Sequence, residues 1–353
     1  QIVNHVAYAL KEQLLSSEHD MVWFSDARYV PIPFSLEHFH PLPQLSPSSS
    51  RLVFIDGGNI EILSAPNFSL QFMRVYATVY QNNHRRDFML YEYYAFIHAI
   101  GVMGNEDIHY QVKLFPISKK SLPIDPSSLT FDSMDPAFRH GHFRATIAHI
   151  GDLVRDILEL RAAHLALDGL TSGDALIRDG TLQATHHLQE QHFNELFTDA
   201  TAKGVIVAAI AKTCTLFCKS GKSLLGTLAQ LADAQPIPSW YYAPLVEIKN
   251  EKHSASMIIA KFHPRSSHIF RCEIHQNQTV SLGSLLSQVA RNSKDPIFLG
   301  YPYGLIEADQ FARVSEKEGA YLATRFIAQC KAEWSHILPF INASNAHAIL
   351  DNK

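Results

Sequence analysis

The sequence has no closely spaced cysteine pair, no long apolar run and no net positive charge, and each absence excludes a class of protein. Four cysteines, at 214, 218, 272 and 330, form no Cys-x-x-Cys pair, so neither a disulfide framework nor a zinc-finger spacing is predicted. No apolar run approaches the roughly 18–20 residues that a membrane helix needs. The formal net charge is −4, which excludes the overall basic field of many nucleic-acid binders. Reduced thiols and the lack of a membrane span predict a cytoplasmic protein.

The composition that is present is that of a folded protein with a large core. The chain has 353 residues, of which 46% are hydrophobic and 18% charged. The N-terminal segment has apolar residues at helical spacing and contains Glu12, which indicates a helix rather than a signal peptide. Residues 31–50 are rich in Pro and Ser, which predicts a long irregular connection.

The order of predicted elements places strands first and alternating helices and strands afterwards. Residues 52–63, 68–81 and 87–101 have strand patterns, although the third also fits a helix. A helix over 145–167, a strand over 173–183, a helix over 189–203 and a buried strand over 204–213 follow. Three more strands lie near 240–248, 254–264 and 267–274, before one long helix at the C-terminal end. This order predicts an α/β mixed sheet with flanking helices and an inserted β-rich lobe.

Two apolar strands each end in Asp-Gly, in "FIDGGN" (54–59) and "ALIRDGTLQ" (175–183). We interpret residues 57–59 as a tight reversal, because glycine and asparagine tolerate positive φ. Ligand sites of open α/β sheets lie at the carboxyl ends of strands, so Asp56 and Asp179 are candidates to converge there. Crowded carboxylates repel one another unless a cation lies among them, and oxygen ligands suit Mg²⁺ or Mn²⁺.

Three other residues are candidates for the same site. Glu159 lies on a mostly apolar helix, one turn after Arg155, and Asp309 lies near the start of the last helix. Lys212 ends the buried strand and is placed to hold a phosphate. Taken singly, each has a plain structural explanation as a turn former, a surface acid or a strand-end lysine.

The motifs, taken in order, resemble the NurA nuclease family. The segments are "FIDGGN", "RDILELRAA", "ALIRDGTLQ", "AIAKTCTL", "HIFRCEI" and "GYPYGLIEADQFARVS", and the resemblance spans about residues 50–330. It implies a ribonuclease H-like core, Mn²⁺ or Mg²⁺ as cofactor, and degradation of DNA. It also implies a homodimer that works with a HerA-type hexameric ATPase in DNA end processing or phage defence. The implied catalytic set is Asp56, Glu159, Asp179, Lys212 and Asp309, with the four acids as metal ligands.

The resemblance also favours Asp179 over Asp168 as the second aspartate. Asp168 follows Glu159 by nine residues, which is too few to finish a helix and reach a strand end. The implied domain organisation is an N-terminal helix and connection over 1–50, a nuclease domain over 51–335 and a tail over 336–353. The β-rich insertion then covers about 236–280.

DNA contacts would need local basic patches, because the overall charge is negative. The candidates are Arg74, Arg85, Arg86, Lys219, Lys222 and Arg265, although exposed basic residues are most often only solvated. Two other functions compete with the nuclease. An actin-like or sugar-kinase-like ATP-binding phosphotransferase would need a second phosphate loop and a Gly-Gly adenosine motif, and the sequence shows neither. A catalytically silent adaptor of the HerA-type ATPase would not need all four of Asp56, Glu159, Asp179 and Asp309.

Overall fold

The computed structural model describes residues 2–14, 20–44, 49–101, 107–118, 121–139, 141–276 and 282–344. Within them the helices are α1 (Ile2–Leu14), α2 (Ile147–Ala166), α3 (His187–Lys203), α4 (Leu224–Ala232), α5 (Leu282–Asn292), α6 (Tyr303–Ala312), α7 (Glu316–Cys330) and α8 (Trp334–Ser344). Among these described helices, none has both the length and the apolar character needed to cross a bilayer.

Thirteen strands lie in the same described ranges. They are β1 (Tyr29–Pro31), β2 (Phe39–Pro41), β3 (Arg51–Ala65), β4 (Phe68–Gln81), β5 (His84–Gly101), β6 (Ile108–Pro116), β7 (Thr130–Asp132), β8 (Ala175–Asp179), β9 (Ile206–Ala211), β10 (Trp240–Tyr242), β11 (Val246–Ile248), β12 (Ala255–Lys261) and β13 (Phe270–His275). Eleven of them form one mixed sheet in the order β2-β10-β12-β13-β9-β8-β3-β4-β5-β6-β7, and β1 pairs with β11.

The centre of the sheet is parallel and both of its flanks are antiparallel. β3, β8 and β9 run parallel, as expected for strands linked by α2 and α3. β3 to β7 form an antiparallel meander on one side, and β13, β12, β10 and β2 extend the other side. The α/β fold class predicted from the element order is confirmed, and the ambiguous third segment is strand β5.

Alternation along β3 assigns the two faces of the sheet. Val53 and Ile55 are fully buried in a core shared with α2 and α3. Leu52 and Phe54 point to the opposite face and pack in a second core with α5 and α6. Both faces of this central strand are therefore covered, which explains its continuous apolar run.

The predicted reversal at residues 57–59 is wrong, because β3 continues straight through it. Gly57 pairs with Val75 and Gly58 with Arg74 in the antiparallel ladder with β4. The chain reverses later, at Pro66 and Asn67. Neither glycine has a positive φ, so their small size rather than their conformational freedom is what the fold uses.

Three smaller predictions also differ from the structure. The strand predicted over 240–248 is interrupted by Pro244, which cannot donate to a ladder, and becomes β10 and β11. The long C-terminal helix is divided into α6 and α7 at residues 313–315, where Ser315 accepts a hydrogen bond from the Glu318 amide. The connection over 31–50 contains β2, which lies at the edge of the main sheet.

The division into domains remains a prediction. The strands β10, β12 and β13 of the expected insertion are hydrogen-bonded into the main sheet through β13 and β9. Part of the predicted tail is α8, and residues 345–353 lie outside the described part of the chain.

Candidate metal centre

Three aspartates converge where the parallel strands β8 and β9 end. Ile55 is the last β3 residue paired with β8, so Asp56 lies just beyond the end of that pairing. Asp179 is the last residue of β8, and Lys212 directly follows β9. Asp309 comes from α6, which packs against β3 and β4. Alternation places Asp56 on the same face as Phe54, and Asp179 on the same face as Ile177, which is the face that α6 covers.

Ligand atoms of Asp56, Asp179 and Asp309 all lie within 4.8 Å of one another. The Lys212 ammonium contacts all three carboxylates, with Nζ 2.5 Å from Asp179 Oδ2, 2.8 Å from Asp309 Oδ1 and 3.5 Å from Asp56 Oδ2. These carboxylates raise the pKa of Lys212 against the effect of its burial. A single positive charge therefore lies where three negative charges meet.

Burial and neighbouring acids disfavour the charged form of Asp56. Burial, followed by the nearby charges of Glu159 and Asp179, raises the pKa of Asp56 to about 7, although Lys212 acts against the rise. The Gly57 amide donates to Asp56 Oδ1 at 2.8 Å, and Asp309 also pairs with Arg313. Lys212, which contacts all three carboxylates, and Arg313, which contacts Asp309, compensate only part of the three negative charges, and the remaining excess favours a bound cation.

Tyr301 supports the cluster and was missed by sequence reasoning. Its side chain is completely buried, and its hydroxyl donates to Asp179 Oδ1 at 3.2 Å. In the sequence, Tyr301 lies eight residues before Asp309, within the segment "GYPYGLIEADQFARVS" that resembles the NurA family.

Glycines beside Asp56 allow two helices to approach the strand. A Cβ added at Gly57 would lie 2.6 Å from Glu159 Oε1, and one added at Gly58 would lie 2.4 Å from the Ala312 carbonyl oxygen. Gly57 therefore lets α2 approach from one face, and Gly58 lets the end of α6 approach from the other. Both glycines therefore have a packing role beside Asp56.

Glu159 lies beside the cluster but is not one of its three grouped acids. It is buried, and it pairs with Arg155 and, at 3.0 Å, with Arg178. Burial raises the pKa of Glu159, and the two guanidinium groups act against that rise. Arg178 points to the α2 face because it alternates with Asp179 along β8. Glu159, the expected fourth ligand, is thus held by Arg155 and Arg178, and the sequence analysis did not identify the contact with Arg178.

The six candidate DNA-binding residues are not equivalent. Arg74 lies near the cluster, opposite Gly58, but it is paired with Glu92 and Glu318. Arg85 is paired with Glu307. Arg86 is exposed and lies at the irregularity in β5 that is level with Leu52 and Val53 of β3, about 10–13 Å from Asp56 in the strand direction. Lys219, Lys222 and Arg265 lie in loops; the first and last are exposed and Lys222 is half-buried.

A second group of possible metal ligands, Asp135, His186 and His187, is a weaker candidate. His186 Nδ1 accepts a hydrogen bond from the Leu188 amide, so the proton of the neutral ring is on Nε2. Nε2 faces Asp135 Oδ2 at 3.5 Å. Burial lowers the pKa of His186 to about 4, which keeps the ring neutral. His186 thus caps α3 and offers no free nitrogen to an ion.

Residues 144–314 match the family model of the NurA domain. This match includes Glu159, Asp179, Lys212 and Asp309, whereas Asp56 precedes it. It confirms the resemblance noted in the sequence. No curated protein sequence matches the chain.

Among solved structures, the NurA nuclease from Sulfolobus solfataricus is similar with a TM-score of 0.50 and 11% identity, over 94% of each chain. Human ENDOV is similar with a TM-score of 0.34 and 11% identity, over 80% of this chain and 86% of that one. An Argonaute from A. aeolicus has a TM-score of 0.35 and 11% identity, over 75% of this chain and 28% of that one. The α/β mixed-sheet fold predicted from the sequence is thus shared with the NurA nuclease.

Proposed function

We propose that this chain, whose residues 144–314 match the NurA domain, is a metal-dependent nuclease that hydrolyses DNA phosphodiester bonds. The observation that carries the proposal is the convergence of Asp56, Asp179 and Asp309 within 4.8 Å, from three distant parts of the sequence. The domain match and the fold shared with a NurA nuclease support a nuclease. DNA as substrate, and Mn²⁺ or Mg²⁺ as cofactor, are the finer parts of the proposal.

The donor set fits a hard divalent cation. Three carboxylates supply oxygen ligands, and one ammonium does not balance their charge. We assign the ligand role to Asp56, Asp179 and Asp309. When bound, such an ion activates water and stabilises the leaving oxygen of a phosphodiester.

The remaining residues of the site position the ligands and the substrate. Tyr301 holds one oxygen of Asp179 in place, and the Gly57 amide holds one oxygen of Asp56. Lys212 is placed to neutralise the negative charge that develops on the phosphate. Glu159 holds Arg155 and Arg178 next to Gly57, so we give it a supporting role in place of the expected ligand role.

We further propose a cytoplasmic homodimer that works with a HerA-type hexameric ATPase in DNA end processing or phage defence. The family resemblance supports these partners. Helix α1 offers a contact surface, because Ile2, Val3 and Tyr8 are at least two-thirds exposed. Co-elution of the chain with such an ATPase, compared with a chain lacking residues 1–14, tests this assignment.

The decisive experiment is cleavage of end-labelled single- and double-stranded DNA with Mn²⁺, Mg²⁺ or EDTA. We expect wild type to cleave with a divalent ion and Asp179→Asn to be inactive. Asp168→Asn is the matched control, because Asp168 has a side chain that is 77% exposed and pairs with Lys203 outside the cluster.

Equal activity of wild type and Asp179→Asn would contradict the assignment of the metal centre. Cleavage that is unaffected by EDTA would contradict metal dependence. ATP binding by the chain alone, with no cleavage even when the ATPase partner is added, would favour a phosphotransferase instead.

A further inference from the structure

A short two-stranded ribbon follows Lys212 directly in the chain. Val22 and Cys218 form an antiparallel bridge, and the Trp23 amide donates to the Phe217 carbonyl oxygen at 2.8 Å. The Lys219 amide donates to the Met21 carbonyl oxygen, also at 2.8 Å. Residues 21–23 and 217–219 therefore lie side by side, and we call them the aromatic ribbon.

The two faces of the aromatic ribbon differ sharply. Val22 and Cys218 are almost completely buried and join the core that contains Leu224. Side chains alternate along each strand, so Trp23 and Phe217 share the opposite face. They are 53% and 55% exposed, and directly opposed Cβ atoms are about 4.5–5.5 Å apart. Two half-exposed aromatic side chains thus lie on the same face of the ribbon.

The aromatic ribbon is held firmly by its neighbours. Asp20 is buried, and it accepts hydrogen bonds from the hydroxyl and the amide of Ser220. The Cys218 amide donates to the Lys222 carbonyl oxygen at 2.7 Å, and Gly221 makes the turn with φ +84°. These bonds fix the backbone that presents the rings, so little order has to be gained on binding.

Positive charge accompanies the rings. Lys219 and Lys222 lie in the same turn, and neither pairs with an acid among the described residues. Phe217 follows Lys212 by five residues, so their Cα atoms are at most about 18 Å apart along an extended chain. The rings therefore lie within a few nucleotides of the three aspartates.

We propose that the aromatic ribbon is a stacking site for one or two bases of single-stranded DNA being led to the metal centre. This inference rests on the proposed nuclease function and adds the form of the substrate. Bases stack on aromatic rings whatever their sequence, and lysines follow the phosphates. Paired bases inside a duplex do not offer their faces, so the site favours unpaired strands.

The test measures binding of fluorescently labelled oligonucleotides in EDTA. EDTA removes divalent ions, so binding is measured separately from hydrolysis. One probe is oligo(dT), and the other is an abasic strand of the same length and charge. For the double variant Trp23→Ala/Phe217→Ala we expect the affinity for oligo(dT) to fall about tenfold or more. The affinity for the abasic strand should stay within a factor of about two, since its phosphates are unchanged.

Tyr321→Ala is the matched control, because Tyr321 is another aromatic residue that is 63% exposed. Circular dichroism checks the fold of each variant. If the double alanine variant does not fold, Trp23→Leu/Phe217→Leu keeps the apolar bulk and removes only the aromatic rings. The same selective loss is expected for the leucine pair.

Equal losses for the two probes, or no loss, would overturn the stacking site. Loss of binding to the ATPase partner with unchanged DNA affinity would also overturn it and assign the rings to a protein contact. Cleavage by wild type with unaltered binding by the variants would reject only the stacking site. If wild type does not cleave but the double variant still loses affinity for oligo(dT) selectively, only the nuclease function is rejected.

Discussion

The absence of a side chain at Gly58 allows α6, which carries Asp309, to pack closely against β3. The Ala312 carbonyl lies where its Cβ would be, and Ala312 is in the same short helix as Asp309. Because the contact is with backbone, no side-chain rotation can relieve it. The position of Asp309 relative to Asp56 therefore depends on the absence of one methyl group.

We expect Gly58→Ala to displace the end of α6, lower the free energy of unfolding by about 1–3 kcal/mol and reduce metal-dependent cleavage. Chemical denaturation and the cleavage assay measure the two effects. Gly101→Ala is the control, since no atom of the described residues lies within 4 Å of a Cβ at that position. If the two variants behave alike, Gly58 is not a packing constraint.

A divalent ion bound as proposed would compete with Lys212 for the same carboxylates. For Lys212→Met we therefore expect Mn²⁺ to raise the melting temperature more than it does for wild type, while cleavage falls. Differential scanning fluorimetry with and without Mn²⁺ measures the shift. Lys249→Met serves as control, because that lysine is 58% exposed and contacts only Glu247 among the described acids. A smaller Mn²⁺ shift in Lys212→Met would contradict this competition.

At the scale of elements, a buried carboxylate connects β13 to the loop after Asp179. Glu273 accepts a hydrogen bond from the Leu182 amide at 2.7 Å, lies 3.0 Å from His253 Nε2 and pairs with Arg271. Burial raises the pKa of Glu273, but the bonds from His253, Arg271 and Leu182 outweigh it and lower the pKa to about 2.

We expect Glu273→Gln to lower the free energy of unfolding by about 2 kcal/mol at pH 7. The folded pKa lies below the ordinary value of 4.5, so the unfolded chain binds the extra proton between these two values. The contribution of Glu273 is complete above about pH 4.5 and is lost as the pH falls toward 2. Denaturation of wild type and variant at several pH values should show their difference shrink over that range.

Glu247→Gln provides the comparison for this pH series, because Glu247 lies on β11, which pairs with β1 outside the main sheet, and its side chain is 61% exposed. A constant difference between wild type and Glu273→Gln from pH 7 to pH 3 would contradict the assigned pKa.

For the whole molecule, the net charge of −4 limits how DNA can be held. Arg74 and Arg85 are engaged by acids, which leaves few cations for phosphates among the six candidates. If two to four phosphates of a single strand are contacted, the logarithm of affinity should fall with the logarithm of salt with a slope of about −1.5 to −3. Anisotropy titrations in EDTA between low and physiological salt measure this slope. A much steeper slope would indicate an extended basic track.

Much of the fold followed from local patterns that burial enforces. Helical spacing over 145–167 predicted α2, and the apolar runs before Asp179 and Lys212 predicted β8 and β9, because strands buried on both faces must be continuously apolar. An Asp-Gly pair follows the apolar run in both β3 and β8, and this pattern indicated the edge where the acids meet, although only Asp179 ends its strand. The identity of the three aspartates as candidates was therefore contained in the sequence.

Only the tertiary structure decided how the glycines and Glu159 are used. The segment "DGGN" is compatible with a turn and also with a strand that two helices approach. Only the ladder with β4 and the positions of Glu159 and Ala312 distinguish these two structures. Glu159 lies beside the grouped aspartates, and Arg178, which alternates with Asp179, pairs with it on the α2 face. Local sequence determined which elements form and which charges they carry. Contacts between residues far apart in the chain decided which charges face one another, since no local pattern records them.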